Sequence, residues 1–459
     1  MKIEQIYTGC LAQGAYYIES EREVAIIDPL REVTEYINKA KESNSKIKYI
    51  FETHFHADFV SGHVTLAKET DADIVYGPTA QTNFDCLIAK DNQEFKVGKL
   101  TIQAIHTPGH TLESTCYLLK DENNKEIAIF TGDTLFLGDV GRPDLAQQNM
   151  KLTKEELAGK LYDSLRNKIM NLPDDIIIYP AHGAGSACGK NMMNITSDSL
   201  ANQKKLNYAL NKNLSKESFV LAVLDGLEDP PKYFPSNVKM NKEGYEDIDN
   251  ILKKNQALSP DKIEEIVNAT DAIVLDVRSP DEYEKAHIPR SIFIGLDGSF
   301  APWVGELIAD VNQKIIFVCK VGREEETITR LSRVGFDNTL GYLKGGINSW
   351  LDSGKEIDSV SSINPEETYK IDTYINQIID VRKKSEYANG HVIKADNICL
   401  STINDNHEKF LSETHKYIHC QGGYRSMIAC SILKSRGIHN ISNIRGGYNQ
   451  IKRNKDIIQ

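Results

Sequence analysis

The sequence has no apolar run near the ~20 residues that a membrane helix needs, so no membrane association is expected. It also lacks an excess of basic charge. Net charge is −11 and pI about 5.6, which argues against nucleic acid as a partner. Residues 1–18 show no basic stretch followed by an apolar core, so no secretory signal is read there. Cysteine is sparse, at Cys10, Cys86, Cys116, Cys188, Cys319, Cys399, Cys420 and Cys430, with no CxxC pair. In a chain of this length that excludes a dense disulfide framework and fits free thiols in a reducing cytoplasm. The remainder is ordinary for globular protein, with 40% apolar and 26% charged residues. A length of 459 residues suggests about three domains.

What is present centres on residues 52–63, Glu-Thr-His-Phe-His-Ala-Asp-Phe-Val-Ser-Gly-His. His54, His56 and Asp58 alternate directly after the β-rich run Ile47–Phe51. Alternation sends such residues to one side of an extended chain. Two imidazoles and a carboxylate thus gather where a strand gives way to a loop. Later runs repeat the arrangement. The strand pattern of 100–106 ends in a Pro-Gly turn that aims His110 back at the strand ends. His106 is read as structural. Residues 126–133 form a buried strand ending in Asp133, and 176–183 a strand ending in His182. Metal-competent side chains recurring at strand ends point to a metal centre.

The order His-x-His-x-Asp, His, Asp, His resembles the metallo-β-lactamase superfamily. The resemblance covers about residues 1–250 and implies an αββα sandwich with a metal site at one edge. One position departs from the pattern. Many members carry a second histidine directly after the motif aspartate, where it helps bind a second metal; here that position is Phe59. One metal held by His54, His110 and Asp133 remains. This pattern is similar to the persulfide dioxygenases of the superfamily, which keep a single Fe(II) with O2 as co-substrate. The segments 132–144 and 181–190 match that family's Gly-Asp…Gly-Arg-x-Asp stretch and its glycine-rich loop. Two imidazoles and one carboxylate with open positions suit non-haem iron. His56, Asp58 and His182 then become supporting groups that orient ligands or bind water and substrate. Arg142 is the candidate cation for the acidic part of the substrate, with an Arg142–Asp144 pair as the structural alternative. Cys10 and Cys188 are read as packed thiols. Residues 198–250 are read as helical, and Tyr233-Phe234 as an aromatic anchor that walls the thiol pocket.

Beyond Asn255–Pro260 the sequence repeats itself. Asp276-Val-Arg…Glu282-Tyr283…His287 recurs as Asp380-Val-Arg…Glu386-Tyr387…His391. Each copy then has a strand ending in cysteine, Cys319 or Cys420, and a Gly-Gly pair starting 26 residues later, at Gly345 or Gly446. Strands alternate with helical stretches, so both copies read as small parallel α/β domains. They resemble the rhodanese sulfurtransferases, at 258–355 and 360–459. The second copy matches fully. Its loop Cys420-Gln421-Gly422-Gly423-Tyr424-Arg425 precedes a helix expected from Ser426. Loop N–H groups should point at Sγ, favour the thiolate and hold an extra sulfur. Arg425 should favour anions such as sulfite or thiosulfate. The first copy is expected to be degenerate, because Glu324 stands at the position of Arg425 and Glu325 at that of Ser426. Catalysis at Cys319 is the alternative.

Together these features resemble a persulfide dioxygenase–rhodanese fusion of bacterial sulfide metabolism. That implies oxidation of a low-molecular-weight thiol persulfide to sulfite, coupled to sulfur transfer at Cys420 between persulfide, sulfite and thiosulfate. It also suggests a homo-oligomer. The carrier thiol (glutathione, coenzyme A, bacillithiol or another) and the direction of transfer stay open. The alternatives are a zinc thioesterase of the glyoxalase II kind and a persulfide carrier or sensor without oxygenase activity.

Overall fold

Strand alternation builds the first half of the molecule. In β2 (Gln13–Ser20), Tyr16 and Ile18 face one way, Ala15 and Tyr17 the other. The first pair joins Ile27, Phe51, Ile102, Tyr117 and Phe130 in an apolar layer between two sheets. The second pair joins Tyr36, Ile50 and Leu66 in a layer beneath the helices Thr34–Glu42 and His63–Thr70. Burial of both strand faces is what a sheet covered on each side requires. The computed structural model describes residues 1–145, 152–227, 229–372 and 376–459.

Two compact units divide the chain: residues 1–248 with 332–335, and residues 249–331 with 336–459. In the first unit one six-stranded sheet runs in simple order β1 (Lys2–Thr8), β2, β3 (Glu23–Ile27), β4 (Lys46–Phe51), β5 (Asp73–Tyr76), β6 (Leu87–Ile88). Its first three strands are antiparallel and β3 to β6 are parallel. The second sheet contains β7 (Glu94–Val97), β8 (Leu100–His106), β9 (Thr115–Lys120), β10 (Glu126–Gly132), β11 (Ile177–Pro180) and β12 (Asp198–Ser199), again in chain order. Helices Lys154–Ser164 and Lys216–Leu224 cover its outer face around Leu118, Ile129, Leu161 and Phe219. The layers are therefore helix, sheet, sheet, helix, as the sequence led us to expect.

The expected elements appear with small shifts in their bounds. The first helix spans Thr34–Glu42. Residues 198–250 are helical in pieces, broken at Asn207 and again before Phe234–Glu243, which carries Pro235 in its first turn, where a proline removes no intrahelical donor.

The second unit holds both repeats, each a five-stranded sheet of parallel pairings. In the first repeat the order is β13 (Gln256–Leu258), β17 (Thr339–Leu343), β16 (Ile315–Val318), β14 (Ile273–Asp276), β15 (Ile292–Phe293). The second repeats it as β18 (Ser362–Ile363), β22 (Ile441–Ile444), β21 (His415–His419), β19 (Asn376–Asp380), β20 (Ala395–Asn397). Identical strand order in two stretches of one chain makes the sequence repeat a structural one. The shared motif residues are structural in both copies. Arg278 folds back on Asp276 and reaches Ala286 O; Arg382 does the same with Asp380 and Gly390 O. His287 stacks on Tyr283 and His391 on Tyr387, both with ring centroids 3.8 Å apart. Among the described residues no helix is long and apolar enough to cross a membrane.

Candidate metal centre and sulfur-transfer loop

β4 and β10 end side by side with the turns that follow β8 and β11. β4 delivers His54, the turn after β8 delivers His110, and β10 delivers Asp133. Gly132 makes the last placement possible. Its φ is +52°, and a Cβ there would lie 2.6 Å from Thr53 Oγ1. One ligand atom from each of His54, His110 and Asp133 lies within 4.8 Å of the others, and all three residues are buried. Asp133 Oδ2 stands 3.5 Å from His110 Nε2 and 3.9 Å from His54 Nε2, and among the described residues it accepts no hydrogen bond.

Hydrogen bonds behind the ligands fix which nitrogen is available. Asp28 is a carboxylate and only accepts, so the Thr53 hydroxyl donates to its Oδ2 at 2.9 Å. The same hydroxyl oxygen must then accept from His54 Nδ1, 2.9 Å away. His110 Nδ1 donates to Arg142 O at 2.8 Å. Both imidazoles therefore carry hydrogen on Nδ1 and present the Nε2 lone pair inward, as a metal ligand requires. Burial opposes the charge on Asp133, yet the charged His182 outweighs it and holds the carboxyl well below the usual carboxylate range. Burial and the charge of His56 push His54 well below the ordinary imidazole value, so it stays neutral. An orphaned buried carboxylate oxygen facing the Nε2 atoms of two imidazoles fits a divalent cation.

The three supporting residues have other partners. His56 Nε2 lies 3.0 Å from Asp28 Oδ1 and 3.5 Å from Glu52 Oε2. Burial works against its charge, but Asp28 raises it to about 9. His182 donates Nδ1–H to Asp133 Oδ1 at 2.8 Å, and its Nε2 lies 2.8 Å from Asp58 Oδ2. Burial again opposes its charge, and the two carboxylates raise it well above the ordinary value. Phe59 is fully buried against the His56 ring. Cys188, buried beside Asp58 and His182, is held well up as a thiol, first by burial and then by Asp58 and Asp133. His106 lies apart from the centre, bonded to Leu112 O. Tyr233 is buried and donates to Asp58 O at 3.2 Å.

Arg142 serves the centre through its backbone. Its guanidinium makes two 2.7 Å bonds to Asp144, the pairing that the sequence offered as the alternative to substrate binding. Three residues that the sequence reading passed over matter here. Asp28 and Thr53 set the His54 tautomer, and Asp139 accepts from Lys190 N and Asn191 N to anchor the glycine-rich loop. The only signal for Asp28 was its position at the end of a strand, next to Pro29.

In the second unit Cys420 follows β21 directly and is buried. Gly423 N–H donates to Cys420 Sγ at 3.1 Å. With φ +103° Gly423 caps the helix Tyr424–Ser435, which therefore starts two residues before the expected Ser426. Gln421 accepts from Arg382 Nη1 and donates to Asn449 Oδ1. Gly422 is exposed at the loop tip. Arg425 makes two 2.7 Å bonds to Glu386, so it enters the site as a paired charge.

The loop after Cys319 is wired differently. Gly322, the counterpart of Gly423, donates its N–H to Glu324 Oε2 at 2.8 Å. The carboxylate at the position of Arg425 has taken the donor that Cys420 uses. Burial, then Glu324, pushes the Cys319 thiol up to about 12.

Comparison with known proteins agrees with both halves. The metallo-β-lactamase superfamily model matches residues 8–84, and the rhodanese-like domain model matches 259–353 and 365–454. A probable hydroxyacylglutathione hydrolase of Schizosaccharomyces pombe is 34% identical over 182 residues, 39% of this chain and 66% of that protein, slightly under two thirds of its length. A cytoplasmic hydroxyacylglutathione hydrolase of Arabidopsis thaliana is 31% identical over 188 residues, 40% of this chain and 67% of that protein. A crystal structure of a metallo-β-lactamase from Staphylococcus aureus matches with a TM-score of 0.66 at 29% identity, covering 75% of this chain and 98% of that one. The chain belongs to the metallo-β-lactamase superfamily, and two rhodanese-like domains follow its sandwich.

Proposed function

We propose that the first unit is a single-iron persulfide dioxygenase and that Cys420 is a sulfurtransferase cysteine working on the same sulfur pool. The observation that carries the first part is the donor set. Two imidazole nitrogens and one carboxylate oxygen converge, while His56, Asp58 and His182 are engaged with other groups and Phe59 offers no ligand. Ferrous iron bound there would supply open coordination positions for dioxygen and a soft sulfur ligand, the chemistry that three-ligand N,N,O sites support.

The chain's own groups do the rest. Thr53 and the Arg142 carbonyl hold both imidazoles in the ligating tautomer. His182 holds Asp133, and burial of the centre keeps bulk water away from the reacting sulfur. The net reaction balances: a thiol persulfide, dioxygen and water give thiol, sulfite and two protons, the outer sulfur losing the four electrons that dioxygen gains. At Cys420, Sγ would take the outer sulfur of a persulfide, releasing thiol, and pass it to sulfite as thiosulfate; the reverse is equally balanced. The Gly423 N–H is the group placed to steady charge on that sulfur. A substrate carboxylate at Arg142 would share the guanidinium with Asp144. None of the eight cysteines is disulfide-bonded, which supports a cytoplasmic setting, and a homo-oligomer is part of the same proposal.

A second reading has support of its own. The curated relatives are named hydroxyacylglutathione hydrolases, which favours zinc-dependent thioester hydrolysis. Metal analysis of protein purified without added metal, with parallel assays of thioester hydrolysis and persulfide-dependent oxygen uptake, separates the two. Iron with oxygen uptake supports the dioxygenase. Zinc with hydrolysis and no uptake overturns it.

A further inference from the structure

The first repeat has its own cysteine loop blocked by Glu324, yet one of its turns touches the loop of the second repeat. Residues 295–298, Gly-Leu-Asp-Gly, follow β15. The Tyr424 hydroxyl donates to Gly295 O at 2.7 Å. Gly298 lies under the Tyr424 ring: a Cβ there would come 2.3 Å from Cζ, 2.6 Å from Cε2 and 2.7 Å from Cε1. No carbon contact of that length is sustainable, so this seat exists only because residue 298 is glycine. Phe293 meets the same ring edge-on at 5.9 Å, and its N–H donates to Ser431 Oγ on the helix that Tyr424 begins.

Tyr424 directly follows Gly423, whose N–H points at Cys420 Sγ. Gly423 is soft in φ, having no side chain to restrict it. The orientation of its N–H is therefore set by what holds the residues on either side. Cys420 is fixed by β21 on one side, and the seated Tyr424 ring fixes the other. The same turn grips the corresponding residue of its own repeat. Arg323 stands four residues after Cys319, as Tyr424 does after Cys420, and Arg323 Nη1 donates to Asp297 Oδ1 at 2.8 Å.

We infer that the Gly295–Gly298 turn of the first repeat is a positioning element of the Cys420 site, acting through the Tyr424 ring, with Gly298 as its indispensable residue. The first repeat is thus retained for what it does to its neighbour's loop. The inference rests on the reading of Cys420 as the sulfur-accepting cysteine.

The test uses the full-length chain and thiosulfate with cyanide. Cys420 Sγ attacks the outer sulfur, the S–S bond breaks, and sulfite leaves with the bonding pair. Cyanide then takes the sulfur as thiocyanate and the thiolate returns. Gly298→Ala is expected to lower thiocyanate production about tenfold or more, mainly in kcat, because small misplacements of reacting groups cost rates on that scale. Tyr424→Phe, which keeps the ring, should stay within about threefold, while Tyr424→Ala should fall as Gly298→Ala does. The double variant Gly298→Ala/Tyr424→Ala should be no slower than Tyr424→Ala alone, since the clash then has no ring to displace. Rates for Gly298→Ala within about twofold of the parent, or a double variant showing the full product of both losses, overturn the inference.

Alkylation of Cys420 by iodoacetamide, followed by peptide mass, reads the loop without assuming sulfur transfer. Gly298→Ala should change its rate more than that of Cys319. Equal change at both cysteines would mean general loosening and would also overturn the inference. Should Gly298→Ala not fold, Tyr424→Ala against Tyr424→Phe decides, and parental behaviour of Tyr424→Ala counts against us. A parent chain that makes no thiocyanate sinks the sulfurtransferase reading, and the alkylation result then judges the positioning on its own.

Discussion

His182 donates Nδ1–H to one oxygen of Asp133, and that bond turns the other oxygen toward His54 and His110. A histidine at a ligating position of the superfamily pattern thus orients a ligand here. His182→Ala should release the Asp133 carboxylate and weaken metal binding by about 10- to 100-fold. Competition with a chelator, with circular dichroism to verify folding, measures it. Undiminished metal affinity would show that Asp133 is held by other means.

Tyr233, the N-cap of the helix Phe234–Glu243, donates to the backbone of Asp58 beside the centre. If Tyr233 and Phe234 wall the thiol pocket, Tyr233→Ala should raise KM for persulfide severalfold with a smaller change in kcat. An unchanged KM would place the tyrosine in support of the fold alone. Tyr233→Phe, which loses one hydrogen bond, separates that bond, worth about 1 kcal/mol, from the ring.

The two cysteine loops differ in who takes the glycine N–H: Sγ at Gly423, a glutamate at Gly322. Cys420→Ser should abolish sulfur transfer, and Cys319→Ser should leave it within about twofold. Glu324→Ala removes the second cause of the raised Cys319 value, after burial. Its thiolate fraction at a given pH should rise, and with it the rate of iodoacetamide labelling at Cys319. Labelling that stays as slow as in the parent would leave burial as the sole reason for its inertness.

How far the sequence was readable depended on whether a residue's role shows in its neighbours along the chain. Strand-end histidines and Asp133 were readable because alternation and turn chemistry are local. The repeat was readable because Asp-Val-Arg and the cysteine recur at fixed spacing. The Asp28–Thr53–His54 chain was hidden, since its members sit 25 residues apart and nothing in a strand-ending aspartate says which hydroxyl it accepts from. The Arg425–Glu386 pair was hidden for the same reason: Glu386 lies in the other half of the repeat. Tyr424 and Gly298 meet only because the two repeats pack within one unit.

Stability should also respond to pH in a way that His287 makes visible. Burial against Tyr283 lowers it to about 4 from an ordinary 6.5. Its folded value lies below its unfolded one, so between these values the unfolded chain binds the extra proton. Stability contributed by the neutral ring is intact above pH 6.5 and is lost as pH falls toward 4. The effect is on the order of 1–3 kcal/mol. Urea midpoints for parent and His287→Gln across that range test it, and parallel slopes would remove His287 as a cause.

In the proposed reading His54, His110 and Asp133 would hold one iron at which dioxygen oxidises a thiol persulfide. Oxygen uptake by the iron-loaded chain, given a panel of thiol persulfides and followed together with sulfite release, tests it most directly. One sulfite per dioxygen consumed is expected with at least one carrier thiol, and no uptake by Asp133→Ala. Bound iron with no uptake on any persulfide would contradict it and return the centre to thioester hydrolysis.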